Sequence, residues 1–258
     1  MSSRSNPVIL ELGKVHFAYD RGQPLIDDLS FTIEQGDFIG MLGANGSGKS
    51  TILKLGSRLL KPASGIVRLW GRDIQEVRNR DRAKLISYLP QSLDISVPFT
   101  IREMVSMGLY PYDIPPAMSV DDALDMVGLS AKADAHLSDL SGGERRRTFI
   151  AMTLLQGAGL LLLDEPLANL DIKYQIELVR LLRKLNKERN ISVVMALHDI
   201  NIALQFEKVM LVKRGSIIGA GRPEEVLTRE TVQQAFDVPV SIKRSETGGL
   251  YISYEDHL

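Results

Sequence analysis

Residues 43–51 read Gly43-Ala44-Asn45-Gly46-Ser47-Gly48-Lys49-Ser50-Thr51 and fit the pattern G-x-x-x-x-G-K-[ST]. The glycines let the backbone close tightly on an anion, so that amide N–H groups at a helix start point at phosphate oxygens. In such a loop Lys49 reaches the β- and γ-phosphates and the Ser50 hydroxyl ligates Mg²⁺. The flanks are those the pattern needs, with apolar Phe38-Ile39-Gly40-Met41-Leu42 before it and helical Ile52-Leu53-Lys54-Leu55 after it. A nucleoside triphosphate is the expected ligand.

A second stretch, Leu160-Leu161-Leu162-Leu163-Asp164-Glu165-Pro166, delivers two adjacent carboxylates at the end of an apolar strand, where open α/β sheets place ligands. Alternation along the strand makes the two side chains diverge. Asp164 then holds Mg²⁺ while Glu165 polarises an attacking water. By itself the pair would equally suit solvated acids at a strand end; beside a phosphate loop the catalytic reading prevails. A third stretch, Leu140-Ser141-Gly142-Gly143-Glu144-Arg145-Arg146-Arg147, has two compatible readings. Ser141 and Glu144 form a capping box, and the glycine-lined helix start is a second anion site that completes another chain's pocket, because one ATP has one γ-phosphate. The three arginines read as a solvated helix face without a catalytic role. Single residues carry less. Gln91 follows Tyr88-Leu89-Pro90 at a strand end, within reach of Mg²⁺ or of the lytic water. His198 ends Val193-Val194-Met195-Ala196-Leu197 and is either structural or catalytic. Tyr19 either stacks on adenine or packs at a strand end.

Alternating short strands open the chain: Val15, Phe17 and Tyr19 before a break at 20–24, then Leu29, Phe31 and Ile33. Helical periodicity follows around 101–107 and 120–127, separated by Tyr110-Pro111-Tyr112-Asp113-Ile114-Pro115-Pro116, which cannot be helix interior. Strand and helix then alternate: a strand over 160–164, a helix over 172–189, a strand over 192–197, a helix from 200 and a strand over 208–212. That order predicts a parallel sheet with right-handed crossovers.

Length and composition exclude several classes. The chain has 258 residues, 44% hydrophobic and 24% charged, which excludes a disordered or fibrous chain. Its 31 basic against 32 acidic residues, net charge −1, argue against wrapping nucleic acid by bulk charge. It has no cysteine, hence no disulfide, thiolate metal site or Cys nucleophile. No run approaches the roughly 18 to 20 apolar residues of a membrane span, and the first seven residues carry no signal-peptide apolar region. Any action at a membrane is expected to go through a partner.

The motif set, residues 43–51, Gln91, 140–144, Leu163-Asp164-Glu165, Leu170-Asp171 and His198, resembles the ATP-binding-cassette (ABC) ATPases over nearly the whole chain. The resemblance implies an α/β P-loop NTPase fold with a RecA-like parallel core, an antiparallel β subdomain and a helical subdomain. It implies one nucleotide-binding domain over 8–258, divided at 8–90, 91–155 and 156–258. It makes Tyr19 the adenine-stacking aromatic, Gln91 the Q-loop residue and Mg²⁺ contact, Glu165 the catalytic base and His198 the switch histidine. Ser141, Gly142, Gly143 and Glu144 then bind ATP in trans, and Asp171 lies at the dimer interface. More narrowly, Val105-Ser106-Met107-Gly108-Leu109-Tyr110-Pro111-Tyr112 looks like ATPases serving importers of ferric siderophores, haem and cobalamin. The implied cofactors are ATP and Mg²⁺. The implied partners are a second cassette, an integral membrane permease and, indirectly, a substrate-binding protein, with no nucleic acid; the implied place is the cytoplasmic face of the inner membrane. Leu109 departs from the usual Arg, and importers of zinc, manganese or molybdate, or a soluble ABC ATPase, remain the alternatives. Glu144 stands for the usual Gln and Leu167 for the usual Thr or Ser. Met107, Leu109 and Tyr110 read either as a partner-helix contact or as core packing.

Overall fold

The computed structural model describes residues 6–20, 23–93, 97–244 and 250–254. The first five residues, the Arg21-Gly22 part of the expected break and the last four residues lie outside them.

The chain opens with strands β1 (Val8–Phe17), β2 (Ile26–Glu34) and β3 (Phe38–Leu42), then helix α1 (Lys49–Gly56). Next come β4 (Ser64–Leu69), β5 (Arg72–Asp73), α2 (Asn79–Leu85) and β6 (Ile86–Leu89). A helical stretch follows: α3 (Ile101–Ser106), α4 (Val120–Met126) and α5 (Gly142–Leu155). Strand β7 (Leu160–Asp164), helix α6 (Ile172–Arg189), strand β8 (Ser192–Leu197) and helix α7 (Ile200–Ala203) come next. The chain continues through β9 (Lys208–Lys213), β10 (Ser216–Gly221), α8 (Pro223–Val226) and α9 (Arg229–Phe236), and ends in the hairpin β11 (Val240–Arg244) and β12 (Leu250–Tyr254).

The central sheet runs β10-β9-β3-β8-β7-β6, with β9, β3, β8, β7 and β6 mutually parallel and β10 antiparallel at one edge. A second sheet, β2-β1-β4-β5, is antiparallel. The architecture is thus α/β with a separate antiparallel sheet, as expected. Strands β3, β7 and β8 are buried on both faces, because each face packs on a different core. Leu161 and Leu163 point to the helices while Leu160 and Leu162 point to the antiparallel sheet, and Phe38 and Leu42 oppose Ile39 and Met41 in the same way. Each such side chain removed from water contributes about 1.5–3 kcal/mol, so these strands anchor both cores.

Several expectations need adjusting. The helix expected from 200 begins there and is a single turn, Ile200–Ala203, with β9 starting at Lys208. Tyr19 lies beyond the end of β1, which stops at Phe17. Leu109 packs against the core, whereas Met107 and Tyr110 are exposed.

Candidate functional site

Parallel pairing gathers the chemistry at one edge of the central sheet. The loop 43–48 follows β3, His198 follows β8, Asp164 ends β7 with Glu165 next, and Gln91 comes two residues after β6. Because β3, β8, β7 and β6 are neighbours in that order, four segments far apart in sequence arrive side by side at strand C-termini.

In the phosphate loop, Gly48 adopts φ +107° as the N-cap of α1, a conformation a side chain would strain. A Cβ on Gly43 would sit 2.3 Å from the Val212 carbonyl and 2.6 Å from Ser47 Oγ. The turn after β9 braces the loop through Gly215 N–H donating to the Ser47 carbonyl at 2.7 Å. Lys49 is buried and donates to the carbonyls of Gly43 (2.7 Å) and Ala44 (3.2 Å). Burial pushes its pKa down, and the nearby carboxylates of Glu165 and Asp164 push back. Ser47 Oγ is buried without a hydrogen-bond partner among the described residues. A loop of amides around an orphaned hydroxyl and a lysine bonded only to carbonyls fits a triphosphate. The cleft there has a volume of about 360 Å³ and is lined by Tyr19, the loop, Gln91 and Glu165.

Asp164 is 1% exposed. It accepts from Ser50 Oγ at 2.9 Å and from Tyr88 OH at 3.2 Å. Burial raises its pKa, and both hydrogen bonds oppose the rise. Tyr88 is held in its protonated, donating form by its own burial and by Asp164. Among the described residues no group of three or more His, Asp or Glu could hold a metal unaided. The Ser50–Asp164 pair instead fits Mg²⁺, which keeps most of its octahedral positions for waters and substrate phosphates.

Glu165 points away from Asp164, but alternation is not the reason. Strand β7 ends at Asp164, and Glu165 takes φ +50°, so a backbone reversal swings its side chain out. Gln91 Nε2 donates to Glu165 Oε2 at 2.8 Å, and His198 Nε2 lies 2.5 Å from Oε1. Each oxygen keeps a further lone pair for water. Tyr19 is 59% exposed, meets Phe17 edge-on at 4.9 Å and shares a hydrogen bond with Thr51 Oγ1 at 3.1 Å.

The residues 141–144 do not join this cleft. With Asp171 they line another concavity, of about 530 Å³. Ser141 caps α5 in a full capping box: Glu144 N–H donates to Ser141 Oγ at 3.3 Å, while Glu144 Oε2 accepts from Ser141 N–H at 3.1 Å and Oγ at 3.0 Å. Lys132 Nζ donates to Glu144 Oε1 at 2.5 Å. That bond, with the Ser141 backbone bond after it, holds the Glu144 carboxyl down to about 2, so it stays ionised and paired. Asp171 is the exposed N-cap of α6, its side chain making no cap bond.

The arginines overturn their expected role. Arg146 and Arg147 are buried, not a solvated face. Arg147 stacks on Tyr174, its guanidinium carbon 3.9 Å from the ring centroid, and donates to the Val127 carbonyl at 2.9 Å. Arg146 donates to the carbonyls of Gln91 (2.6 Å), Asp164 (3.0 Å), Pro90 (3.2 Å), Pro166 (3.3 Å) and Glu165. Helical spacing holds the signal that would have found it: Arg146 shares a face with Phe149 and Ile150, which are apolar and buried. Tyr88 and Lys132 had no comparable signal.

Comparison with known proteins supplies the family. Residues 26–168 match the model described as ABC transporter. The petrobactin import ATP-binding protein FpuC of Bacillus anthracis is 38% identical over 243 residues, 91% of this chain and 89% of that protein. The hemin import ATP-binding protein HmuV of Rhodopseudomonas palustris is 35% identical over 241 residues, 90% and 89% of the two chains. The dimeric ATP-binding cassette MJ0796, in a post-hydrolysis state bound to ADP and Pi, superposes with a TM-score of 0.76 at 27% identity, covering 83% of this chain and 99% of that one. No helix among the described residues is long and apolar enough to cross a membrane. The chain belongs to the ABC transporter family, as an ATP-binding cassette of its ATP-hydrolysing class.

Proposed function

We propose that this chain is the ATP-hydrolysing subunit of an importer for a metal chelate of the siderophore, haem or cobalamin class, working as a homodimer beneath a separate membrane permease. The observation that carries the chemistry is the Glu165 carboxylate, held between Gln91 and His198 at the mouth of the phosphate cleft. The import ATPases it resembles support the cargo class.

Lys49 and the N–H groups of residues 43–51 bind the β- and γ-phosphates, and exposed Tyr19 offers its ring to adenine. Ser50, Asp164 and Gln91 would hold Mg²⁺, which would offset charge on the transferring phosphoryl group. Glu165 takes the proton of the attacking water as general base, and His198 keeps the carboxylate aimed and contacts the γ-phosphate. Ser141, Gly142, Gly143 and Glu144 close over the partner's γ-phosphate, and Asp171 lies in the same interface. A ligand bound by both chains favours the closed dimer in proportion to its extra contacts there; cleavage removes those contacts. The helical segment 91–155 faces the permease, with exposed Met107 and Tyr110 available to it, at the cytoplasmic face of the membrane.

Uptake in a strain lacking the chain, complemented by wild type or Glu165→Gln, tests this reading. Wild type is expected to restore uptake of a ferric siderophore, of haemin or of cobalamin. Glu165→Gln, losing a general base, is expected to lower hydrolysis about 1000-fold and abolish uptake while the dimer still forms on ATP. Unimpaired chelate uptake in the deletion strain together with loss of zinc, manganese or molybdate uptake would reassign the cargo. Undiminished turnover in Glu165→Gln would remove the base.

A further inference from the structure

Arg146 lies five residues beyond Ser141 on α5, the helix whose start would touch the partner's nucleotide. Its side chain, 4% exposed, bonds to no carboxylate among the described residues. All its acceptors are backbone carbonyls on two short segments, 90–91 and 164–166. Those segments carry Gln91 and Glu165, whose side chains meet at 2.8 Å. Burying a cation among neutral dipoles is costly unless its donors are satisfied, and a planar five-donor fork is the one side chain able to bridge so many carbonyls. The neighbouring Arg147 is also buried but faces the other way, onto Val127, Gly128 and Tyr174. It braces the helical stretch and reaches no residue of the phosphate cleft.

A shift of α5 therefore moves the backbone under Gln91 and Glu165 with it. We propose that Arg146 is a positioning residue that couples the two nucleotide sites of the dimer, fastening the helix that contacts the partner's ATP to the loops that aim its own Gln91 and Glu165. This rests on the shared-site reading above. Occupancy of one site then sets the geometry of the base at the other, which is positive coupling between equivalent sites.

The test uses the purified full chain, wild type, Arg146→Gln and Arg146→Lys, with ATP binding measured without Mg²⁺ and hydrolysis measured against ATP concentration. Wild type is expected to give a Hill coefficient rising toward ~2. In Arg146→Gln, kcat falls about 100-fold, the loss a mis-aimed reacting group produces. Binding in that variant stays within about twofold, and its Hill coefficient drops to ~1. Arg146→Lys, which keeps the charge and some donors, recovers part of both. A merely structural arginine would lower the melting temperature and the active fraction while leaving the Hill coefficient of the remainder at the wild-type value, and that result overturns the proposal. If Arg146→Gln does not fold, wild-type kcat and Hill coefficient in Arg146→Lys overturn it equally. A wild-type Hill coefficient of ~1 with activity strictly proportional to chain concentration would instead remove the shared site, and this inference with it.

Discussion

Two helix starts in this chain are built alike and equipped differently. Glycines stand in the loop before α1 and at the first two positions of α5, and both starts present first-turn N–H groups. The α1 start is buried, has no side-chain cap, and is surrounded by Lys49, Ser50, Asp164 and the orphaned Ser47 hydroxyl. The α5 start is exposed at Ser141 and Gly142, is already capped by its own serine, and carries a carboxylate neutralised by Lys132. The first can hold a triphosphate by itself; at the second, Lys132 is committed to Glu144 and Arg147 to the Val127 carbonyl and the Tyr174 ring, so that start can only add to an anion held elsewhere. Phosphate affinity thus follows from the charges and unpaired donors around the helix start rather than from the glycines.

The sharpest way to separate the two starts is to damage each and measure monomer affinity for ATP. Lys49→Ala removes the buried ammonium and is expected to weaken binding more than 100-fold, on the order of the 1.5–3 kcal/mol or more of a charge-assisted hydrogen bond in a dry site. Ser141→Arg, by contrast, is expected to change monomer binding less than about twofold, the limit for a surface site outside the cleft. Equal losses in the two variants, read by equilibrium titration, would mean that both starts serve one cleft of one chain.

A smaller effect concerns Glu144. With its charge matched by Lys132, Glu144→Gln alone is expected to alter hydrolysis less than about tenfold. Lys132→Met exposes the charge to the neighbouring γ-phosphate and is expected to slow hydrolysis several-fold, about 1 kcal/mol as for exposed pairs. In the E144Q background the same Lys132 substitution is expected to do nothing, so steady-state rates of the four chains close a cycle. A Lys132 effect that persists in that background would give Lys132 a different role.

Much of this molecule was legible in the sequence, for reasons that differ by region. Strands β7 and β8 and helix α6 were placed to the residue, because continuous apolar runs and a clean 3.6 period are the strongest local signals. Tyr19, the loop residues 45–51, Gln91 and Glu165, which line the cleft, stand out in the sequence for a related reason: the chemistry demands particular side chains beside glycines or at strand ends; Leu25, also in its wall, carries no such signal. What escaped was long-range. Nothing local to Arg146 says that its partners are carbonyls 20 and 55 residues away, and a basic triplet read alone is a solvated face. Lys132 is exposed on a short turn and acquires meaning only through Glu144. The left-handed turn at Glu165 has no local signal, because strand alternation carried one residue past the end of β7 at Asp164 also makes the two carboxylates diverge. The C-terminal hairpin went unread too. It is fastened by a side chain far from it in sequence, Asn201, which bonds both ways with the Ile252 backbone at 2.7 and 3.0 Å.

The central claim is that ATP is cleaved where the α1 start of one chain meets the α5 start of another. Mixing Lys49→Ala and Ser141→Arg chains, each inactive alone, tests it most directly. The mixed dimer contains one pairing with both substitutions and one with neither, so hydrolysis is expected to return, up to one intact site per dimer. Failure of any mixture to hydrolyse ATP, with heterodimers shown to form by differential tagging, would contradict the claim.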